Sequence, residues 1–312
     1  MAALREIRDR IDSVRNTMKI TNAMYMISST KLNTARKKLK STEPYFYTLQ
    51  SMFERILRHL PSGFSHPYLD RRTEIPEGER SRAFLCITAD KGLAGAYNAN
   101  VLKLAESRMG NGKRDHLYVV GEVGRQYFLH RNVDLDGEFH YTAQKPTLSR
   151  ARHISMEMLA LFREKKVDEV YVVYTRMKNQ AEFVPELIQL LPLVQLDSDL
   201  MNAGKLPVNT IQETFSLEPT PTKLLDNIVP EFVNGYIYSA LVESYCAEHF
   251  ARMQAMDAAN RNGNQLIRDL TIEYNRSRQA RITQEITEVA AGARARREQL
   301  ERARKTRKDL EP

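Results

Sequence analysis

The sequence predicts a mixed α+β fold: long helices at both ends that form a coiled coil, plus a central Rossmann-like α/β domain. Apolar residues recur at steps of three and four over the first 60 residues, and no proline lies between Pro230 and Pro312. The middle of the chain instead alternates short β-branched or aromatic runs with helical patterns. We expect three domains: a coiled-coil helix over 1–60, an α/β domain over 61–221 and a second coiled-coil helix over 222–312.

The first 60 residues carry the apolar seam of a coiled coil. Stepping by three and four from Leu4 gives 17 positions, of which all but Thr21, Ser28 and Thr42 are apolar. A heptad pattern this long is typical of a left-handed supercoil. Pro44 should kink the helix or end its first part, because proline cannot donate to the helical ladder. The 17 seam positions are Leu4, Ile7, Ile11, Val14, Met18, Thr21, Tyr25, Ser28, Leu32, Ala35, Leu39, Thr42, Phe46, Leu49, Phe53, Ile56 and Leu60.

The middle of the chain predicts strands that alternate with helices. This order favours a parallel sheet with right-handed crossovers. Weak periodicity predicts a loop or flap over 195–210, and 214–217 is expected to form another short strand. The predicted strands cover 83–89, 117–120 and 170–174, and the predicted helices cover 98–107, 122–129 and 149–165.

The last third of the chain predicts a helix that would reach roughly 125 Å if it were uninterrupted. No compact domain can cover such an element, so we expect the N-terminal helix and other subunits to do so. Its apolar stripe is interrupted over 275–281, which holds three arginines, and resumes at Ile282, Ile286 and Val289. The gap fits a solvated helix face or a contact zone. A similar polar interruption over 17–22 favours the contact zone.

Positive charge is concentrated at the N-terminal end. Residues 1–40 hold ten basic and three acidic side chains, which gives +7 of the total formal charge of +8. An acidic partner is therefore expected, and both nucleic acid and a protein surface rich in Asp and Glu fit. A coiled-coil nucleic-acid-binding protein is the alternative function, although no recognition module is visible.

The sequence holds no pattern typical of catalysis, so neither an enzyme activity nor a cofactor is expected. The seven histidines fall in no HExxH or CxxC arrangement, which predicts no metal site. The loop over 90–95 follows a predicted strand and enters a helix, but it lacks the GK[ST] ending and the GxGxxG spacing of phosphate-binding loops. Cys86 and Cys246 lie in apolar runs. A single disulfide is possible, but buried free thiols fit their surroundings better.

No stretch reaches the roughly 20 apolar residues of a membrane span. The first 15 residues carry three acidic side chains and no apolar core, unlike a signal peptide. We expect a soluble intracellular protein that reaches a membrane only through partners.

Four motifs in the same order resemble the gamma subunits of the F-type ATP synthase, and the likeness runs from the first residues to about Ala295. The resemblance implies that the terminal helices form an antiparallel coiled coil, a shaft inside a ring of α and β subunits. It also implies that the α/β domain lies on the membrane rotor ring and holds the epsilon subunit. The motifs are KITNAM over 19–24, ITADKGLAGAYN over 87–98, EPTP over 218–221 and YNRSRQARITQEI over 274–286.

The resemblance also implies a function without an active site. Ion flow turns the ring and the shaft, and the shaft forces each β subunit in turn through states that bind, make and release ATP. The chain would be a non-catalytic rotor subunit, peripheral to the cytoplasmic face of a bacterial inner membrane. Coupling to H⁺ or Na⁺, the number of subunits in the ring, and the direction of synthesis or hydrolysis stay open.

Site residues implied by the resemblance fall into three groups. The contacts with the acidic catch loops of β are Arg276, Arg278, Gln279 and Thr283, with Lys19, Thr21 and Met24 nearby on the partner helix. The contacts at the collar around the shaft are Asp90 and Lys91. The contacts with the rotor ring are Glu218, Pro219 and Thr220.

The C-terminal end departs from the family. Family members usually stop near Ala295, whereas this chain continues to Pro312 with seven basic and four acidic residues over 296–312. A helical extension that protrudes toward the peripheral stalk and a frayed charged tail both fit this composition.

Overall fold

The computed structural model describes residues 2–110, 114–133, 135–136, 138–179, 182–193 and 217–308. The predicted loop over 195–210 and nearly all of the predicted strand over 214–217 lie outside these residues. Two short 3₁₀ turns precede the sheet, at Pro67–Leu69 and Glu77–Glu79. The helices and strands are α1 (Ala2–Arg58), β1 (Arg82–Ile87), α2 (Tyr97–Arg108), β2 (Asp115–Val120), α3 (Glu122–Leu129), α4 (Leu148–Arg163), β3 (Glu169–Met177), β4 (Phe183–Leu191) and α5 (Pro221–Lys308).

The chain divides into two compact units. Unit 1 comprises residues 1–24 and 256–312, and unit 2 comprises residues 25–255. The boundary falls inside α1 and α5, and the predicted three-domain division stays a prediction.

The predicted seam forms a buried face, since all 17 positions are buried or partly buried, 16 of them in α1 and Leu60 just beyond its end. The helix does not end at Pro44 but continues to Arg58. Beyond the proline, Phe53 is fully buried and stacks on Phe232 of α5, with ring centroids 4.8 Å apart. Such burial contributes roughly 1.5–3 kcal/mol per side chain, so a few seam residues offset the cost of about 3 kcal/mol for a proline inside a helix.

Replacing Pro44 by alanine is therefore expected to raise the free energy of unfolding by about 1–3 kcal/mol, because it restores a backbone N–H and a favourable helix former at an exposed position. Urea unfolding of the full chain measures this change. Lys37→Ala, at another exposed position of α1, should alter stability by less than about 0.5 kcal/mol. Equal or lower stability of Pro44→Ala would contradict the prediction.

Unit 2 is built on a four-stranded sheet of order β2-β1-β3-β4. The three predicted strands are confirmed, and β1 pairs in parallel with both β2 and β3. The predicted parallel arrangement is confirmed for these three strands, but a fourth strand that was not predicted, β4, pairs with β3 in the antiparallel direction. Strand β4 escaped prediction because it contains Pro185 and lacks an alternating pattern. Its place at the sheet edge is where a proline is tolerated.

The two faces of the sheet are covered by different helices. Alternate side chains of β1 point to opposite faces, so Phe84 and Cys86 pack with residues of α2 and α3, and Leu85 and Ile87 pack with residues of α4. Cys86 and Cys246 are both free and buried, which confirms the prediction of unpaired thiols. Burial raises the pKa of each thiol to about 12, so neither is reactive near neutral pH.

The predicted helices of the middle region are confirmed as α2, α3 and α4: the bounds of α3 are as predicted, and those of α2 and α4 differ by one or two residues. Helix α5 runs for 88 residues and continues through Pro230. No helix in the described part of the chain combines the length and hydropathy needed to span a bilayer.

Candidate functional site

Unit 1 pairs the first part of α1 with the second part of α5. Thr21 Oγ1 donates to Asn260 Oδ1 at 2.5 Å. The Met18 thioether fills the space beside Gly263, where an added Cβ would lie 2.7 Å from Sδ. As the numbers rise along α1 they fall along α5, so the two segments run antiparallel. A small apolar cluster closer to the chain start joins Ile7, Ile11, Ile267, Leu270 and Tyr274.

This register separates two groups of predicted site residues. Because Thr21 lies level with Asn260, Lys19 lies level with about position 262. Arg278 lies some 16 residues further along α5, roughly 24 Å at about 1.5 Å per residue. The structure therefore brings Lys19, Thr21 and Met24 together near Asn260, and it does not bring them to Arg278.

The segment of α5 around Arg278 presents its side chains outward. Within the described ranges Arg276 and Arg278 make no ion pair, whereas Arg281 pairs with Glu285 at 2.8 Å. The four predicted contacts in this segment are exposed: Arg276, Arg278, Gln279 and Thr283. The next helical turns carry an exposed apolar stripe of Ile282, Ile286 and Val289, which are 46%, 63% and 74% exposed. Spacings of four and three residues place these three side chains on one face of the helix.

Asp90 lies in the loop between β1 and α2, and its carboxylate is occupied by internal donors. It accepts hydrogen bonds from the backbone N–H groups of Glu122, Ala143 and Gln144, each at 3.2 Å. The hydroxyl of Thr142 also donates to it. Asp90 therefore fixes the loop to two other chain segments, while the Lys91 side chain beside it is exposed.

The side chain of Arg252 in α5 forms hydrogen bonds with the same loop. Its guanidinium donates to the backbone carbonyls of Lys91 at 2.9 Å and Gly92 at 3.1 Å. Arg252 is buried and forms an ion pair with buried Glu248 at 2.7 Å. Sequence reasoning missed this pair. The sequence feature that could have revealed this pair is a Glu and an Arg four residues apart in a largely apolar stretch of the helix.

His249 adds a pH-dependent group to this buried cluster. It is 4% exposed, and its Nδ1 lies 3.3 Å from a guanidinium nitrogen of Arg252, which donates to it. Burial lowers the pKa of His249 from about 6.5 to about 3, and the positive charges of Arg252 and Lys31 act in the same direction. The folded chain thus excludes a proton that the unfolded chain binds below pH 6.5, so stability falls on acidification.

Between pH 7 and pH 5 the wild-type chain is expected to lose about 2 kcal/mol of stability relative to His249→Gln, since a group protonated only in the unfolded state costs about 1.4 kcal/mol per pH unit. Urea unfolding at several pH values measures the difference. His153→Gln removes an exposed histidine and should leave the pH profile unchanged. Parallel profiles of wild type and His249→Gln would contradict the prediction.

The predicted ring contacts lie at the start of α5. Glu218, Pro219 and Thr220 are exposed. The Thr220 hydroxyl accepts a hydrogen bond from the backbone N–H of Lys223 at 3.3 Å, and Pro221 is the first helical residue. A threonine cap followed by proline is a favourable helix start, so this turn begins α5 while it presents a polar surface. The described ranges gather no group of three or more His, Cys, Asp or Glu that could hold a metal ion.

Comparison with known families identifies the chain. The family model described as ATP synthase (ATP-synt) matches residues 3–295. The ATP synthase gamma chain of Caldanaerobacter subterraneus subsp. tengcongensis is 41% identical over 294 residues, which cover 93% of this chain and 98% of that protein. The ATP synthase gamma chain of Ruminiclostridium cellulolyticum is 39% identical, with coverage of 94% and 98%. These relatives give no support to the nucleic-acid-binding alternative.

Solved structures share the fold at lower identity. A chain from the Euglena gracilis mitochondrial ATP synthase structure of OSCP, F1 and c-ring has a TM-score of 0.63 at 17% identity and covers 94% of both chains. A chain from the central stalk and c-ring structure of Tetrahymena thermophila mitochondrial ATP synthase has a TM-score of 0.55 at 22% identity, covering 77% of this chain and 99% of that one. The family-model match and the identity to curated gamma chains show that the chain belongs to the ATP synthase gamma chain family.

Proposed function

We propose that this chain is the shaft that carries torque from an ion-driven membrane ring to the catalytic β subunits of an F-type ATP synthase. As a gamma chain it is the central-stalk subunit of the rotor. The observation that carries the proposal is the exposed face of α5 around Arg278. It lies in an 88-residue helix and has no cover from this chain in the described residues of unit 1. Exposed cations followed by an exposed apolar stripe suit a surface that other subunits enclose.

The terminal helices form an antiparallel coiled coil in this proposal. The burial of all 17 heptad positions and the opposite numbering of the contacts in unit 1 support it. The functional division is a coiled-coil helix over 1–60, a Rossmann-like foot domain over 61–221 and the second coiled-coil helix over 222–312. A buried Leu, Ile or Phe contributes roughly 1.5–3 kcal/mol, so a dozen such side chains stabilise the shaft far more than any surface contact does.

The contacts with β lie at two levels of the shaft. Arg276, Arg278, Gln279 and Thr283 meet the acidic catch loops at the upper level, and Lys19, Thr21 and Met24 make contacts roughly 24–32 Å lower along α5. Exposed ion pairs contribute about 0–1 kcal/mol each and are screened by salt. Contacts of this strength form and break in each turn without trapping the shaft.

The remaining contacts lie on unit 2. At the collar, the exposed Lys91 side chain reaches the surrounding ring, and Asp90 acts by fixing the loop that presents it. Glu218, Pro219 and Thr220 face the rotor ring. Their exposure and the turn that they form suit such a contact.

The proposal sets the partners and location of the chain. It binds the α and β subunits, the epsilon subunit and the membrane c-ring, but not nucleic acid, and it is peripheral to the cytoplasmic face of a bacterial inner membrane. Chemistry takes place on β, so this chain is non-catalytic and needs no cofactor. A sodium-ion-specific ATP synthase gamma chain from Acetobacterium woodii is 34% identical, so the family likeness fits coupling to either Na⁺ or H⁺.

Co-purification tests the function. A tagged chain expressed in its own host should bring down α and β subunits together with ATP hydrolysis activity, and an untagged strain is the control. Recovery of the chain without any nucleotide-hydrolysing assembly would overturn the proposal.

We also propose that the segment after residue 295 is a helical extension directed toward the peripheral stalk. Helix α5 continues to Lys308, whereas the family model matches only to residue 295. The alternative is a frayed charged tail without a partner.

Truncation after Ala295 is expected to reduce ATP synthesis by membrane vesicles about two- to threefold, because it removes a few exposed charge contacts worth about 0–1 kcal/mol each. The amount of assembled complex, measured by immunoblot, should stay the same. Unchanged synthesis and hydrolysis would support the frayed tail and contradict the extension.

A further inference from the structure

A cavity of about 520 Å³ lies in unit 2 between α1, β3 and α5. Its volume falls in the range of roughly 300–1,000 Å³ that small-molecule sites occupy. Phe46, Leu49 and Phe232 form an apolar wall. Polar side chains also line it, among them Tyr174, Arg176, Tyr236, Ser239 and Glu243.

Glu243 has hydrogen bonds but no counterion. Its Oε2 accepts from the backbone N–H of Met177 at 2.8 Å, and its Oε1 accepts from the Ser239 hydroxyl at 3.1 Å. Both donors are neutral, and no basic side chain within the described ranges approaches this carboxylate to ion-pair distance. Burial raises the pKa of Glu243 to about 7, while the two hydrogen bonds and the more distant charge of Arg176 act in the opposite direction.

The basic side chains at the cavity already have acidic partners. Arg176 pairs with Glu186 at 3.3 Å, and Lys178 pairs with Glu182 at 3.7 Å. An anionic ligand would therefore meet two cations that already have acidic partners and one carboxylate without an ion-pair partner. A cationic ligand would supply the charge that Glu243 lacks.

We propose that this cavity binds a small organic cation, a primary amine or amidinium with an aromatic or branched aliphatic body. The charged group lies on Glu243, and the body packs against Phe46, Leu49 and Phe232. The hydroxyls of Tyr174 and Tyr236, which lie 3.4 Å apart, are further acceptors for its N–H groups. The site is independent of the torque-bearing surface of α5.

Benzamidine is a suitable probe because it combines an amidinium with one aromatic ring. Ligand-observed NMR with the purified full-length chain, repeated with the assembled complex, should detect saturable binding of benzamidine. Benzamide, which is neutral, and benzoate, which is anionic, should bind at least tenfold more weakly. Equal binding of benzamide would overturn the proposal, because it would leave no role for the carboxylate.

Glu243→Gln should weaken benzamidine binding at least tenfold, since the amide keeps the shape but not the charge. Glu77→Gln is the matched control: it removes the same charge from an exposed position outside the cavity lining and should leave binding unchanged. Circular dichroism checks that both variants fold. Unchanged affinity in a folded Glu243→Gln would overturn the proposal.

A pH titration of the wild-type chain tests the site without any substitution. Benzamidine keeps its charge over this range, so its affinity should rise about tenfold from pH 6 to pH 8 as Glu243 ionises near pH 7. Affinity that is independent of pH would overturn the proposal. The titratable and charged groups that interact with Glu243 or line the cavity with it are Arg176, Lys178 and Tyr174 of β3 and its turn, Glu186 of β4, Tyr236 and Cys246 of α5, and Tyr47 of α1. The pKa values of Tyr174 and Tyr236 are raised by burial, so neither loses its proton in this range.

Discussion

Replacing Phe53 by alanine is expected to lower the free energy of unfolding by about 3–5 kcal/mol, the usual cost of removing a buried phenylalanine. Phe53 is fully buried, and its ring lies 4.8 Å from that of Phe232 at an interplanar angle of 19°. This contact joins α1 to α5 next to the core of the α/β layer, so its loss leaves a cavity that neighbours on two long helices cannot close. Guanidinium unfolding of the full chain, followed by circular dichroism, measures the change.

Tyr45→Ala is the matched control for this experiment. Tyr45 is an aromatic residue on the same helix but is 56% exposed. Its removal should cost less than about 1 kcal/mol, as is usual for surface substitutions. If Phe53→Ala lost less than about 1 kcal/mol of stability, packing between α1 and α5 would not be the reason that α1 stays helical beyond Pro44.

The seam of α1 could be predicted because heptad spacing determines which face of a helix is apolar. Every seam position from Leu4 to Leu60 is at least partly buried, including the polar exceptions Thr21, Ser28 and Thr42. The continuation through Pro44 could not be predicted locally, because the compensating burial comes from α5, almost 200 residues away in sequence. Tertiary packing outweighs a local propensity of about 3 kcal/mol.

The strands of the sheet also differ in whether a local sequence pattern predicts them. β1, β2 and β3 are buried on both faces and therefore appear in the sequence as continuous apolar runs. β4 is an edge strand whose residues are mostly half-buried, so neither a continuous run nor a strict alternation marks it. Its pairing depends on the position of β3, which no local pattern contains.

The exposed surface around Arg278 could be expected from a stretch without large hydrophobic side chains. The axial register of α1 against α5 could not, because a heptad pattern sets the face of a helix but allows several offsets along its axis. The pair Thr21 and Asn260 fixes that offset, and it separates Lys19 from Arg278. The role of Arg252 beneath the loop after β1 likewise depends on a contact between residues about 160 positions apart.

Reversing the charge at Arg278 is expected to reduce ATP synthesis about tenfold while the chain stays folded. Loss of an exposed ion pair costs up to about 1 kcal/mol, and a glutamate that repels the proposed acidic loops of β raises the total toward 1.4 kcal/mol, which is about tenfold in rate. Arg278 is exposed and makes no ion pair within the described part of this chain, so Arg278→Glu breaks nothing inside unit 1. Synthesis by energised membrane vesicles and the thermal midpoint of the purified chain are the two measurements.

Two further variants separate a contact role from a structural one. Arg163→Glu makes the same charge change at an exposed position of α4 and should leave synthesis unchanged. Ile11→Ala, in the buried cluster with Leu270, should instead lower the free energy of unfolding by about 2–4 kcal/mol. If Arg278→Glu destabilised the chain as much as Ile11→Ala, Arg278 would belong to the shaft's internal packing. A contact that forms and breaks in each turn must be weak and exposed, whereas the seam that transmits torque must be strong and buried. Arg278→Glu tests the first requirement, and Ile11→Ala tests the second.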